Sequence, residues 1–125
     1  MKSPHKGVAR IFKAFGYSWD GFKAVFRSEA ALRQEIALFV VLSIILVFIP
    51  ASYIEKILMI SSMTLVLLME LVNSAIEAVV DRISPEFHEL CKKAKDIGSL
   101  IVLVAFVNLA IVWGWILVNN FLLTF

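Results

Sequence analysis

The chain has 125 residues, of which 61% are hydrophobic and 18% are charged, and its formal net charge is +2. With a mean hydropathy of +0.90, this composition excludes an ordinary soluble domain and predicts an integral membrane protein. The length allows one domain with three membrane-spanning helices of about 20 residues each. Because three helices enclose little space, a polar site is expected to need neighbouring copies, which predicts a homo-oligomer.

The first predicted element is a helix over about residues 6–27. Its apolar and aromatic positions recur with helical spacing, and its basic positions fall mostly on the opposite face. This pattern is typical of an amphipathic helix that lies on a membrane surface. The apolar stripe consists of Val8, Ile11, Phe12, Phe15, Trp19, Phe22 and Phe26.

Three apolar segments follow, and each is long enough to cross a bilayer. The predicted spans cover about residues 30–50, 56–82 and 97–119. The first overlaps a run of 19 consecutive uncharged residues, 36–54, with Pro50 near its far end. No charged residue follows Asp96, which predicts an uninterrupted third span.

The basic residues predict the orientation of these spans. All but one of the 12 Lys and Arg residues lie before the uncharged run that begins at Ile36 or in the loop 82–96, and the exception is Lys56. Because positive charge is enriched on the cytoplasmic side, the N-terminus and the loop 82–96 are predicted to be cytoplasmic.

Polar side chains share one face of the second span. Glu70, Asn73 and Glu77 are spaced i, i+3 and i+7, and Asp81 lies one further turn along. Glu70 is the deepest of them, about 16 Å of helix rise from Asp81. An ionised carboxylate inside a bilayer is costly, so such residues usually mark a site or a pathway. The alternative is that they hold helices together through salt bridges or hydrogen bonds.

Residues outside this span extend the polar face toward a phosphate site. Glu29, at the edge of the first span, is expected at the depth of Glu77, and carboxylates with an amide nearby suit Mg²⁺ completed by substrate phosphates. Lys95, close to Ser99, supplies a cation for a phosphate. Together, the carboxylates, a bound Mg²⁺ and the lysine predict phosphoryl transfer at the membrane surface. The sequence has neither a P-loop nor a protein-kinase motif set, so any kinase here belongs to neither class.

Five segments of the sequence occur in the order of a known family. They are RIFKAFGYSWDGFKAVF, EAALRQE, ELVNSAIEAVVDRI, EFHEL and AKDIGS, and the third carries the specific pattern E-x-x-N-S-x-I-E-x-x-x-D. Over about residues 8–118 the chain resembles the bacterial integral-membrane diacylglycerol kinases. The resemblance implies an all-α membrane protein with an N-terminal amphipathic surface helix and three transmembrane helices per protomer, assembled as a homotrimer in the bacterial inner membrane. It also implies transfer of the γ-phosphate of MgATP to the primary hydroxyl of diacylglycerol, which gives phosphatidic acid.

The resemblance further implies roles for individual residues, in sites shared between protomers. Glu70 is the expected general base for the lipid hydroxyl, and Glu29 and Glu77 are the expected magnesium ligands. The expected ATP-contacting residues are Arg10, Tyr17, Glu29, Asn73, Glu77, Asp81, Glu86, His88, Lys95 and Asp96. The expected lipid-contacting residues are Arg10, Ala14, Trp19, Arg33, Gln34, Glu35, Glu70, Ser99 and Trp113.

Alternative functions remain open at this point. An undecaprenol kinase would share the acid motif and MgATP but act on a polyprenol, although the fuller N-terminal match favours diacylglycerol. A small oligomeric transporter would use Glu70 as a membrane-embedded carrier, but this leaves Glu29 and Lys95 unexplained. A membrane scaffold would pair its acids with Arg33 and Arg82. No nucleic-acid partner is expected.

Overall fold

The computed structural model describes residues 6–83 and 88–122, and within these ranges the only regular secondary structure is α-helix. Its four helices are α1 (Val8–Ser28), α2 (Ala30–Phe48), α3 (Tyr53–Ile83) and α4 (Glu89–Phe121). By length and composition, α2, α3 and α4 are suited to cross a membrane. The predictions of an all-α chain and of three long apolar helices are therefore confirmed.

The junction between α1 and α2 is formed by a single extended residue, Glu29, with φ −116° and ψ 104°. Its backbone N–H donates to the carbonyl of Val25 at 2.9 Å. The Arg33 guanidinium donates to the carbonyls of Phe26 at 2.6 Å and Arg27 at 3.1 Å, which the end of α1 leaves without helical partners. Because the Glu29 side chain does not cap α2, its carboxylate is available for other partners.

The turn between α2 and α3 is defined by local sequence signals. Ile49 is extended, as expected for a residue that precedes a proline. A capping box starts α3: the Ser52 hydroxyl accepts from the Glu55 backbone N–H at 3.1 Å, and the Glu55 carboxylate accepts from the Ser52 N–H at 3.0 Å. Asn120, near the end of α4, donates to the same carboxylate at 3.4 Å. This hydrogen bond connects the start of α3 to the C-terminal end of α4.

The helices pack mainly through α3, which contacts α4 more extensively than α2. A buried apolar core lies beside the α2–α3 turn and contains Leu46, Ile49, Met59, Met63, Trp113 and Ile116. Within it, the Trp113 indole N–H donates to the Met59 carbonyl at 3.1 Å. Many other apolar side chains remain exposed in the single chain, and Phe48 on α2 is 81% exposed.

Candidate active site

The polar face of α3 is held by contacts within that helix and with α4. The Glu70 side chain is buried, with 6% of its surface exposed. One turn along, the Asn73 amide nitrogen donates to Glu77 Oε1 at 3.3 Å. A further turn along, Asp81 Oδ1 forms an ion pair with the Lys95 ammonium of α4 at 2.5 Å. The spacing in the sequence therefore brings these side chains into one row.

A groove of about 620 Å³ runs between α1 and α3. Three carboxylates line it, namely those of Glu29, Glu77 and Asp81. The wall contributed by α1 is formed by small and apolar residues, Ser18, Gly21, Phe22, Ala24 and Val25, with Ser28 at its end. Glu29 and Glu77, which come from different helices, thus face the same space.

The oxygen atoms along this groove suit a hard divalent cation. Magnesium is usually bound through one or two protein carboxylates, with phosphate oxygens and water as its other ligands. Glu29 and Glu77 supply two carboxylates, and the Glu29 carboxylate is not used in capping α2. Within residues 6–83 and 88–122, no group of three or more His, Cys, Asp or Glu forms a metal cluster. The residues present fit Mg²⁺ held together with a nucleotide.

A second pair of carboxyl groups lies at the buried end of the row. Glu35 of α2 lies close to Glu70 of α3. Glu35 Oε2 is buried and has no hydrogen-bond partner among the described residues. These two carboxyl groups come from different helices and lie at the end of the row farthest from Asp81.

Two further buried atoms near this row, Asn73 Oδ1 and Ser74 Oγ, have no hydrogen-bond partner in the described part of the chain. Ser74 is not among the site residues predicted from the sequence, although it follows Asn73 and lies three residues before Glu77, a spacing that places it beside that carboxylate. Ser74 also lines the groove. Because buried polar atoms are nearly always paired in folded proteins, the unpaired Ser74 hydroxyl at the groove is available to a bound ligand, whereas Asn73 Oδ1 faces Gly98 of α4.

Other predicted site residues on α1 and α2 do not line the groove. Arg10, Ala14, Tyr17 and Trp19 are exposed on α1, and the Trp19 ring stacks on Phe22 with centroids 5.6 Å apart. Gln34 is exposed. Arg33 binds backbone carbonyls at the end of α1 and not a carboxylate, which removes one of the ion pairs that the scaffold interpretation requires.

The predicted site residues on α4 lie in different environments. His88 caps the helix, since its Nδ1 accepts from the Leu90 N–H at 3.1 Å, and Asp96 pairs with Lys92 at 2.6 Å. Ser99 is exposed. Trp113 is buried in the apolar core, so the structure does not bring it to the acidic row within one chain. Glu86 lies outside the described residues.

Comparison with known proteins relates this arrangement to a family. The family model for prokaryotic diacylglycerol kinase matches residues 16–117. The chain is 46% identical over 121 residues to a diacylglycerol kinase of Escherichia coli K12, and the aligned region covers 97% of this chain and 99% of that protein. It is 48% identical over 120 residues to that of Pseudomonas aeruginosa (94% and 98% covered), and 38% identical over 109 residues to that of Helicobacter pylori J99 (87% and 85% covered). The resemblance seen in the motifs is confirmed, and the chain belongs to the prokaryotic diacylglycerol kinase family, a family of lipid kinases.

Proposed function

We propose that this chain transfers the γ-phosphate of MgATP to the primary hydroxyl of diacylglycerol and so forms phosphatidic acid. The observation that carries the proposal is the position of the buried Glu70 two helical turns from Glu77, which lines an open groove. A lipid hydroxyl requires a base within the apolar layer, whereas a nucleotide requires a hydrated site that binds a cation. The acidic face of α3 offers both along one helix.

In the reaction, Glu70 accepts the proton of the lipid hydroxyl while the hydroxyl oxygen attacks the γ-phosphorus. The new O–P bond forms as the bond from the γ-phosphorus to the β,γ-bridging oxygen breaks, and ADP leaves with that electron pair. Burial of Glu70 excludes water, which would otherwise compete as the acceptor. Glu35 lies beside it as a second buried carboxyl group.

On the nucleotide side, Glu29 and Glu77 are the residues that would hold magnesium, which neutralises charge on the ATP phosphates when it is bound. Asn73 orients Glu77 through the hydrogen bond at 3.3 Å. Lys95 is assigned to the transferred phosphate. Because its ammonium pairs with Asp81 at 2.5 Å, phosphate binding replaces that partner. The remaining ATP contacts are assigned to Arg10, Tyr17, Asp81, Glu86, His88 and Asp96.

The proposed setting is a single domain, residues 1–125, in the bacterial inner membrane. α1 lies on the cytoplasmic surface as an amphipathic helix, and the chain crosses the membrane over about residues 30–50, 56–82 and 97–119. The basic residues before the first span and in the loop 82–96 support this orientation.

The proposed assembly is a homotrimer with active sites shared between protomers. The extensive exposed apolar surface of α2, α3 and α4 supports an assembly in which part of that surface is covered by other copies. Sharing also accounts for predicted site residues that do not line the groove of their own chain. The lipid-contacting residues assigned by resemblance are Arg10, Ala14, Trp19, Arg33, Gln34, Glu35, Glu70, Ser99 and Trp113.

The proposal is tested by the transfer of γ-labelled phosphate from ATP to dioleoylglycerol or to undecaprenol in mixed micelles, with and without Mg²⁺. We expect magnesium-dependent labelling that is faster with dioleoylglycerol. Faster labelling of undecaprenol would overturn the assigned acceptor but not the kinase chemistry. Absence of magnesium-dependent labelling of both lipids would contradict the proposal and favour the transporter or the scaffold.

A further inference from the structure

The closest approach between α3 and α4 that involves a glycine occurs at Gly98. Gly98 is buried, and a Cβ atom built on it would overlap the Asn73 amide oxygen. The same Cβ would lie 3.3 Å from Asn73 Cγ and 3.8 Å from Ile76 Cδ1. The Asn73 amide therefore occupies the space that any other residue at position 98 would need for its side chain.

Gly98 differs in this respect from the other glycines of the chain. A Cβ added at Gly7, Gly16, Gly21 or Gly114 would meet no atom within 4 Å. A glycine inside a helix costs about 1 kcal/mol relative to alanine. At Gly98 this cost is offset by a packing requirement, because only a residue without a side chain leaves room for the amide of Asn73.

The orientation of the Asn73 amide follows from its two neighbours. A carboxylate only accepts hydrogen bonds, so the amide nitrogen faces Glu77, to which it donates at 3.3 Å. The amide oxygen consequently faces Gly98, where it is buried and accepts no hydrogen bond from the described residues. Gly98 thus forms one wall of the space that aims the amide nitrogen at Glu77.

We propose that Gly98 is a positioning residue for the metal-binding carboxylate Glu77, and that it acts through the side chain of Asn73. This inference rests on the proposed function, because it concerns the same magnesium site. An added methyl group at position 98 either turns the amide away from Glu77 or separates α3 from α4. In both cases Glu77 loses the hydrogen bond that orients it. Loss of such a partner behind a metal ligand typically lowers metal affinity by about 10- to 100-fold.

The first test compares Gly98→Ala with Gly114→Ala, a matched control on the same helix where a Cβ meets nothing within 4 Å. Binding of Mn²⁺ is followed by the electron paramagnetic resonance signal of the free ion, in the presence of a non-hydrolysable ATP analogue. We expect about 10-fold weaker Mn²⁺ binding for Gly98→Ala and unchanged binding for Gly114→Ala. The KM for dioleoylglycerol should be unchanged in both. Mn²⁺ binding by Gly98→Ala equal to that of the unmodified chain would overturn the proposal.

A double variant separates an effect through Asn73 from a general effect on helix packing. In Asn73→Ala the amide is absent, so Gly98→Ala should weaken Mn²⁺ binding no further. An additional 10-fold loss in the double variant would show that Gly98 does not act through Asn73. If Gly98→Ala alone does not fold, the double variant, which has room for the methyl group, must fold and bind Mn²⁺ as Asn73→Ala does, and its failure to fold overturns the inference. Mn²⁺ binding is measured without any phosphate transfer. A failure of this inference can therefore be distinguished from a failure of the unmodified protein to phosphorylate diacylglycerol.

Discussion

The two ends of the α3–α4 pair satisfy their polar groups differently. At the end that we call the apolar end, the Trp113 indole N–H donates to the Met59 carbonyl, and the Glu55 carboxylate accepts from the Ser52 N–H and from the Asn120 amide. At the other, which we call the acidic end, Glu35 Oε2, Asn73 Oδ1 and Ser74 Oγ are buried without partners among the described residues. The polar groups named at the apolar end are paired within the chain, whereas the acidic end has buried polar atoms that the described residues leave unpaired, which is uncommon in a folded protein.

Because of this difference, substitutions at the two ends are expected to affect different properties of the protein. A buried polar atom without a partner costs about 1–3 kcal/mol, so the acidic end contributes less to stability than its burial indicates. Substitutions at the acidic end should therefore change activity more than stability. Substitutions at the apolar end should change stability more than activity, because the side chains there hold α4 to α3 and to the α2–α3 turn.

The largest effect is expected for Glu70→Gln at the acidic end. An amide of similar shape cannot accept the proton of the lipid hydroxyl, so we expect kcat to fall about 10³-fold, within the range typical of a general base. The temperature of thermal inactivation should change little. The matched control is Glu55→Gln, which removes the carboxylate at the other end of α3 and should keep its rate. Activity of Glu70→Gln within tenfold of the unmodified protein would exclude Glu70 as the base.

The next effect is expected for Trp113→Ala at the apolar end. Because Trp113 is 8% exposed and packs in the core, its truncation should lower the free energy of unfolding by about 3 kcal/mol. Trp113→Phe should lose only the bond to the Met59 carbonyl, which is worth about 1 kcal/mol. Both are measured by thermal denaturation in detergent, together with the KM for dioleoylglycerol. Unchanged stability with a raised KM would show that Trp113 serves only the lipid contact assigned to it by resemblance and does not stabilise the core.

The smallest effect is expected for Ser52→Ala, which removes half of the capping box at the start of α3. Loss of this cap should lower stability by about 1 kcal/mol, with kcat and the magnesium dependence of the rate unchanged. Thermal denaturation and the magnesium titration are measured on the same preparation. A shift in the magnesium dependence would show that the two ends of α3 are coupled, contrary to the contrast drawn above.

The features that sequence predicted correctly are local ones. The long apolar runs and Pro50 were sufficient to predict α2, α3 and α4. The shared face of Glu70, Asn73 and Glu77 follows from the geometry of one helix and needs no knowledge of the helices around it. The family was predicted from five short segments in a fixed order, and the most specific of their patterns lies within this single helix.

The features that sequence did not predict depend on how the helices are rotated and spaced against one another. The contact of Glu35 with Glu70 joins α2 to α3, and the close approach of Gly98 to Asn73 joins α4 to α3. The bond from Trp113 to the Met59 carbonyl spans 54 positions of the sequence. A local pattern contains no information on such rotations, because exposed and buried faces look alike in a helix that is apolar on all sides.

The most direct test of the claim that the acidic end serves magnesium-dependent catalysis is one variant, Glu77→Gln, assayed for activity and stability on the same preparation. Glu77 lines the groove opposite α1 and accepts the hydrogen bond of Asn73, so an amide there should abolish the magnesium response of diacylglycerol phosphorylation. The temperature of thermal inactivation and the oligomeric state should be preserved. A variant that keeps its magnesium response but loses thermal stability would contradict the account and identify the acidic end as structural.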